Sequence, residues 1–450
     1  MQKKNINFAI ITFISIFICH FVIFLAFYPG LCTYDLNTQI EQYTSHAFIT
    51  NHPLLHTLFV GFFHDLFANE AHGFNYNLGY ALATIIQMVI VDISMTYAIL
   101  YIKQRSQAKI LYIVCILFYA VFPVNSLLTI SHTKDVLFAA FGMVFFIDSL
   151  HFISDGHKNI SVVFFIRMII CAAFMLLLRN NALYAMAATI LVLCIAAFIS
   201  YRKKKTATYK NYVAVLIFSL ILSILANKSL MIATDATNGS IKEMMSIPAQ
   251  IMGRIYNTVA TEDEKALISE YIPNASEYKY YISDPMKKDL PFEIWESKCK
   301  HFLLDSTILA LHHPVISIQA VWYNIQGYVD PFHQPYSSDH FFLARHDYRG
   351  DAVQDSKLPM LCDLYVDHFR LSNVHNPLTV FFNMALYIWI FIAGFICLIK
   401  HNDRQYLAYI FALFYLLTLL LGPAAIVRYG FFYILISPII LNTLLPVPKK

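Results

Sequence analysis

Nine of the 28 acidic residues lie outside positions 234–375, and Asp35, Glu41, Asp65, Glu70 and Asp135 among them fall beside the ends of apolar runs. Ionisable groups there are costly, which marks them as functional candidates. Asp35 follows Tyr28-Pro29-Gly30, a sequence that stops a helix and turns the chain. Gln39 lies four residues on and shares its face if a new helix starts there. Asp35 then reads either as the N-cap of that helix or as a working carboxylate. His52-Pro53 comes next, with His56 four residues later. Two histidines at that spacing suit a metal ion or the polar side of an interfacial helix, and no third ligand accompanies them. Lys134-Asp135 opens another run, as a helix start with a neighbouring charge or as a second acid. Arg179-Asn180-Asn181 sits between two runs, where Arg179 either snorkels or meets phosphate. Arg428-Tyr429 lies inside the last run, after Gly422-Pro423, where an arginine demands a partner or ligand. Lys134, Arg179 and Arg428 together suit an anionic head group. A carboxylate to take a hydroxyl proton and cations to hold a departing phosphate would suffice for group transfer from a lipid phosphate.

The elements that must position these residues follow from composition. The chain is 58% hydrophobic and 13% charged, about half the charge usual in soluble domains. That excludes an ordinary soluble enzyme, a disordered chain and a nucleic-acid binder with a basic face. Ten runs can span a bilayer as helices, near 6–28, 78–101, 110–130, 134–153, 160–179, 182–200, 211–232, 377–399, 406–422 and 424–445. With that count, Lys3 and Lys4, the Lys103–Lys109 loop, the Arg202–Lys210 cluster, Lys400 with Arg404, and Lys449 with Lys450 all face the cytoplasm. Both termini are then cytoplasmic in a multi-pass cell-membrane protein. The first run has no A-x-A-like cleavage site and reads as a retained anchor.

Charge divides the chain. Residues 234–375 hold 19 of the 28 acids and 12 of the 32 bases, net −7, and the remainder is net +11. The predicted organisation is an N-terminal membrane module (1–233), an extracytoplasmic domain (234–375) and a C-terminal module (376–450). In the first outer loop, 29–77, residues 53–68 carry an apolar stripe with His56, Thr57, His64 and Asp65 opposite, which predicts an interfacial helix. No regular internal repeat is evident. Eight cysteines show no zinc spacing; Cys32, Cys299 and Cys362 fall on the outer side, where Cys299 and Cys362 could pair. The charged candidates gather at outer helix ends, as a head-group enzyme requires. A transporter would place them at the midplane, where Asp92 and Asp148 are the available acids.

At Tyr28-Pro29-Gly30, Asp35, Gln39, His52-Pro53, Thr57, Lys134-Asp135, Arg179-Asn180-Asn181 and Arg428-Tyr429 the sequence resembles bacterial polytopic proteins of the GT-C glycosyltransferase superfamily. The likeness runs along the membrane part and looks closest to a branch with a YPG…D…Q…HP…T opening. Leu36 stands where Ser would follow the Asp, and Ala182 where Gly often follows the Asn. The resemblance implies an all-α, GT-C-like fold and an inverting transferase. It would move a sugar from a polyprenyl-phosphate donor in the membrane lipid to an envelope glycan, lipid or protein acceptor on the outer face. Asp35 and Asp135 would be catalytic; Gln39, His52, Lys134, Arg179, Asn180, Arg428 and Tyr429 would bind substrate. No cofactor is demanded, and a divalent metal stays compatible. The alternatives are a flippase or exporter of lipid-linked glycans, and a glycan polymer ligase relying on Arg345 or His346 of the insertion. His312-His313 and Tyr328-Val-Asp330 of that insertion also read as ordinary surface. The topology predicts a cytoplasmic reading for a reporter fused near Lys204 and an external one near Lys287; the reverse pattern would overturn it.

Overall fold

The computed structural model describes residues 2–68, 70, 73–106, 109–154, 161–202, 210–239, 244–287, 292–332, 348–349, 352–369 and 377–444. Ten helices precede the insertion: α1 (Gln2–Ala26), α2 (Tyr34–Thr44), α3 (Leu54–Leu66), α4 (Tyr76–Arg105), α5 (Lys109–Val121), α6 (Pro123–Thr129), α7 (Lys134–Ser154), α8 (Val162–Leu178), α9 (Asn180–Arg202) and α10 (Lys210–Thr234). The insertion holds α11 (Ser246–Thr258), α12 (Glu262–Tyr271), α13 (Asp284–Lys287), α14 (Phe292–His312), α15 (Pro314–Val329) and α16 (Pro359–Phe369). The chain then runs through α17 (Met384–Lys400), α18 (Tyr406–Leu420) and α19 (Phe431–Leu444). The Lys203–Lys205 cluster, Asp155, Lys449, Lys450, His340, Arg345, His346 and Asp347 lie outside the described residues.

Every one of the ten apolar runs is helical, and six helices are long and apolar enough to cross a membrane: α1, α4, α7, α9, α10 and the Val427–Leu444 run containing α19. The pair α5 and α6, bent by 51°, makes a seventh if it counts as one span. The bend falls at Pro123, which cannot continue the hydrogen-bond ladder of α5. Helices α8, α17 and α18 are equally apolar but 17, 17 and 15 residues long. Leu191 and Phe198 of α9 and Ile221 and Leu225 of α10 are exposed. In water each would forfeit about 1.5–3 kcal/mol of burial, and lipid removes that cost.

Helix α7 runs through the core, against α4, α8, α18 and α19, with Phe138, Met143, Phe145 and Phe146 buried. The two acids inside apolar runs each have a basic partner. Asp148 takes both Arg167 Nε (2.9 Å) and Nη2 (2.7 Å), and Tyr97 donates to it at 2.6 Å. Asp92 meets His20 Nδ1 at 2.7 Å.

Helix α3 corrects the sequence expectation for its faces. His56, Thr57 and His64, expected on the outward polar side, are buried, whereas Phe62 is exposed. The insertion has a core of its own around Met252, Ile255, Ile268 and Phe302, with Cys299 packed beside it. Cys362 belongs instead to the bundle core, and no disulfide joins the two. His313 contacts Glu264 at 2.9 Å, Tyr328 donates to the Ala424 carbonyl, and Asp330 Oδ1 accepts from Phe332 N. These three insertion candidates thus have structural partners.

Two short parallel strands, β1 (Leu31–Cys32) and β2 (Ser131–His132), pair in register, Leu31 with Ser131 and Cys32 with His132. Gly30 admits β1 to this place with φ +129°, and a Cβ there would lie 2.4 Å from Thr84 Oγ1. Gly73 also has a positive φ but opens onto empty space. Gly30→Ala should therefore lower stability by about 1–3 kcal/mol and clearly more than Gly73→Ala, read by thermal unfolding in detergent; equal shifts would contradict this packing.

Candidate functional site

The pairing of β1 with β2 sets two helix starts side by side. Each strand runs through a threonine into a helix whose second residue is an aspartate: Thr33-Tyr34-Asp35 enters α2, and Thr133-Lys134-Asp135 enters α7. The N-cap of α2 is Thr33, and Asp35 lies one residue inside its first turn, so the N-cap reading of Asp35 does not hold. Thr33 Oγ1 donates to the His132 carbonyl at 3.0 Å and ties the two starts together. From the α4 side, Gln87 Nε2 donates to the carbonyls of Thr129 and Ser131 at 2.8 and 2.9 Å. Thr84 Oγ1 stands 2.8 Å from His132 Nε2 and 2.7 Å from the Pro29 carbonyl.

Five charged side chains from four chain regions converge at these starts. Lys134 Nζ donates to Asp35 Oδ2 at 3.0 Å and to His52 Nδ1 at 2.9 Å. Arg428, on a 3₁₀ turn (Val427–Gly430) before α19, reaches Asp35 Oδ2 with Nη1 at 3.1 Å. Its Nε stands 3.7 Å from Asp135 Oδ2, so one guanidinium bridges both carboxylates. Arg179, at the C-cap of α8, pairs through Nη1 with Asp135 Oδ1. Thr133 Oγ1 donates to Asp135 Oδ2 at 3.0 Å and accepts from Arg428 Nη1 at 3.3 Å. The Tyr429 ring lies beneath both arginines, 4.4 Å from the Arg179 guanidinium carbon and 5.2 Å from that of Arg428. Three cations face two carboxylates, a surplus of one positive charge at the N-termini of α2 and α7, which favour anions.

Seven of the nine sequence-derived site residues meet here: Asp35, His52, Lys134, Asp135, Arg179, Arg428 and Tyr429. Gln39 and Asn180 have other partners. Gln39 Oε1 accepts from His56 Nδ1 at 3.0 Å while its Nε2 donates to Thr57 Oγ1 at 3.0 Å. Asn180 Nδ2 donates to the Thr50 carbonyl at 2.9 Å and holds the first loop against α9. The Gln39 contact fixes the His56 tautomer, leaving Nε2 as a lone-pair acceptor, buried and with no hydrogen-bond partner among the described residues. His52 and His56 are therefore engaged separately, and no group of three His, Cys, Asp or Glu side chains suited to a metal occurs among the described residues.

Thr33 escaped the sequence reading, and His132 and Thr133 were legible only as the start of a helix, although Thr-x-Asp recurs 100 positions apart and could have flagged both threonines. Arg167 escaped too; a base inside an apolar run was the available signal.

Burial pushes the Asp35 pKa up, but Arg428, Lys134 and His52 outweigh it and hold the carboxyl well below the usual carboxylate range. Burial and the nearby Lys134 charge, only partly offset by Asp35, lower His52 to about 4. Burial lowers His56 to about 3 and His132 to about 4. All three histidines are neutral at pH 7. Unfolded, they take up protons below about 6.5, while the native state does not. Their contribution is thus complete above that pH and is lost as pH falls toward 4. The melting temperature in detergent should drop across pH 6.5–4, and His132→Gln should flatten that slope; an unchanged slope would refute the buried neutral imidazole.

An all-helical, polytopic membrane protein with one ionic cluster at paired helix starts is the class these features define. The chain belongs to the family of unknown function DUF6020, whose match covers residues 40–441 and begins just after Asp35 and Gln39. No curated protein and no solved structure matches the chain.

Proposed function

We propose that this protein is a membrane glycosyltransferase. It takes a sugar from a polyprenyl-phosphate donor and passes it to an envelope glycan, lipid or protein acceptor on the outer face of a bundle of ten spans with a GT-C-like arrangement. The observation that carries the reading is the fork of Arg428 and Lys134 on Asp35. Two cations that would grip a phosphate are held at rest by an internal carboxylate. The donor phosphodiester brings one negative charge and gains a second as the sugar leaves, so Lys134 and Arg428 are drawn from Asp35 toward it as transfer proceeds. Asp35 loses the charges that depress its pKa and becomes a competent base.

Asp35 then takes the acceptor hydroxyl proton, and the acceptor oxygen attacks the anomeric carbon from the face opposite the phosphate. The carbon–oxygen bond to phosphate breaks, and polyprenyl phosphate leaves against Lys134 and Arg428, with inversion. Asp135 keeps Arg179 and Arg428 aligned over Tyr429. No specific observation favours the transport alternative, since Asp148 is saturated by Arg167 and Tyr97 and Asp92 is paired with His20.

Asp35→Asn removes the base and one competing anion together. Sugar transfer from a labelled polyprenyl-phosphate donor should fall by about 10²–10⁴-fold, while polyprenyl phosphate should bind at least as tightly as to wild type. Transfer at the wild-type rate would overturn the assignment. Envelope glycan composition with and without the chain, with the Asp35→Asn protein as control, identifies the acceptor.

A further inference from the structure

Helix α15 is built inside out for a helix in water. Its inward face carries Ser317, Ala320, Asn324 and Tyr328, all buried, and its outward face carries Val315, Ile318 and Trp322, exposed to 64, 70 and 43%. Those three lie at i, i+3 and i+7 on one stripe. A helix of a water-soluble domain places its apolar stripe inward. Two inward donors are placed: Asn324 Nδ2 donates to the Gly422 carbonyl at 2.9 Å, and Ser317 Oγ to the His313 carbonyl at 2.9 Å.

The outward stripe also has a continuation. It leads toward Val329, whose carbonyl accepts from the Trp389 indole at 2.7 Å. Trp389 belongs to α17 and is itself 46% exposed. The apolar face of α15 therefore runs into the outward face of an apolar bundle helix. Helix α16, packed against α1, differs, since it exposes Asp367 and His368 together with Met360. Tyr365 is turned inward onto Phe27 at 6.0 Å, and Met360 points outward at 89% exposure.

We infer that the insertion rests in the membrane, with the outward face of α15 covered by the acyl chains of the adjoining leaflet. The occupant is lipid because the face is continuous with α17, carries no charged residue between Pro314 and Val329, and includes Trp322 and leads to Trp389, a residue type that settles at membrane interfaces. The seam this creates lies beside the Gly422–Ala424 loop, four residues before Arg428. A lipid along α15 would bring its head group toward the cation cluster. The inference does not depend on the transfer chemistry.

The chain has three tryptophans, Trp295, Trp322 and Trp389. In a Trp295→Phe/Trp389→Phe protein reconstituted in liposomes, Trp322 is the sole indole reporter. Phosphatidylcholine brominated on its acyl chains should quench its emission at least twofold, with aqueous iodide having little effect. Iodide quenching without bromolipid quenching would place α15 in water. Quenching by neither would mean that protein, a second copy or another partner, covers the face; either result overturns the inference. If the double variant does not purify, the difference between wild type and Trp322→Phe isolates the same signal, and bromolipid quenching unaltered by Trp322→Phe likewise overturns it.

Discussion

The in-register pairing of Leu31-Cys32 with Ser131-His132 is the constraint on which the rest of the site depends. Four residues of parallel strand contribute little stability by themselves. Their effect is geometric. Two helices that start one residue after paired strands must start together, so Asp35 and Asp135 come within reach of one guanidinium. Gly30, Thr84, Gln87 and Thr33 all serve that pairing by satisfying or making room for its backbone.

Burying five charges next to lipid costs several kcal/mol for each that lacks a counter-ion. The arrangement meets that cost by alternation: Lys134, Asp35, Arg428, Asp135 and Arg179 form a chain of opposite signs. Three cations on two acids leave the chain one negative charge short. The cluster is stable at rest yet better completed by an anion, as a phosphate site should be. Neutral His52 beside Lys134 and neutral His56 beneath it add polarity without adding to that surplus.

The surrounding helices read differently once lipid is the solvent. Helix α15 turns polar residues inward and apolar ones outward, and α3 buries His56, Thr57 and His64 together with Leu54, Val60 and Phe63 while Phe62 stands exposed. Hydrophobic periodicity identified α3 as a helix at the membrane interface but placed His56, Thr57 and His64 on its outward polar side. Both faces of α3 contribute buried residues, because a periodic pattern fixes which residues share a face and leaves open what packs against each face.

Composition and apolar run length by themselves determined that the chain is a helical membrane protein, since a run of about 20 apolar residues has few other stable fates. They also marked Asp35, Lys134, Asp135, Arg179 and Arg428, because a charge beside an apolar run is expensive wherever the chain goes. Only the tertiary structure decided that these five touch one another, that Gln39 orients His56 instead of joining them, and that Asn180 ties down a loop. Those outcomes turn on strand register and helix rotation, which are set by contacts between residues from 17 to 295 and more positions apart and leave no trace in local spacing.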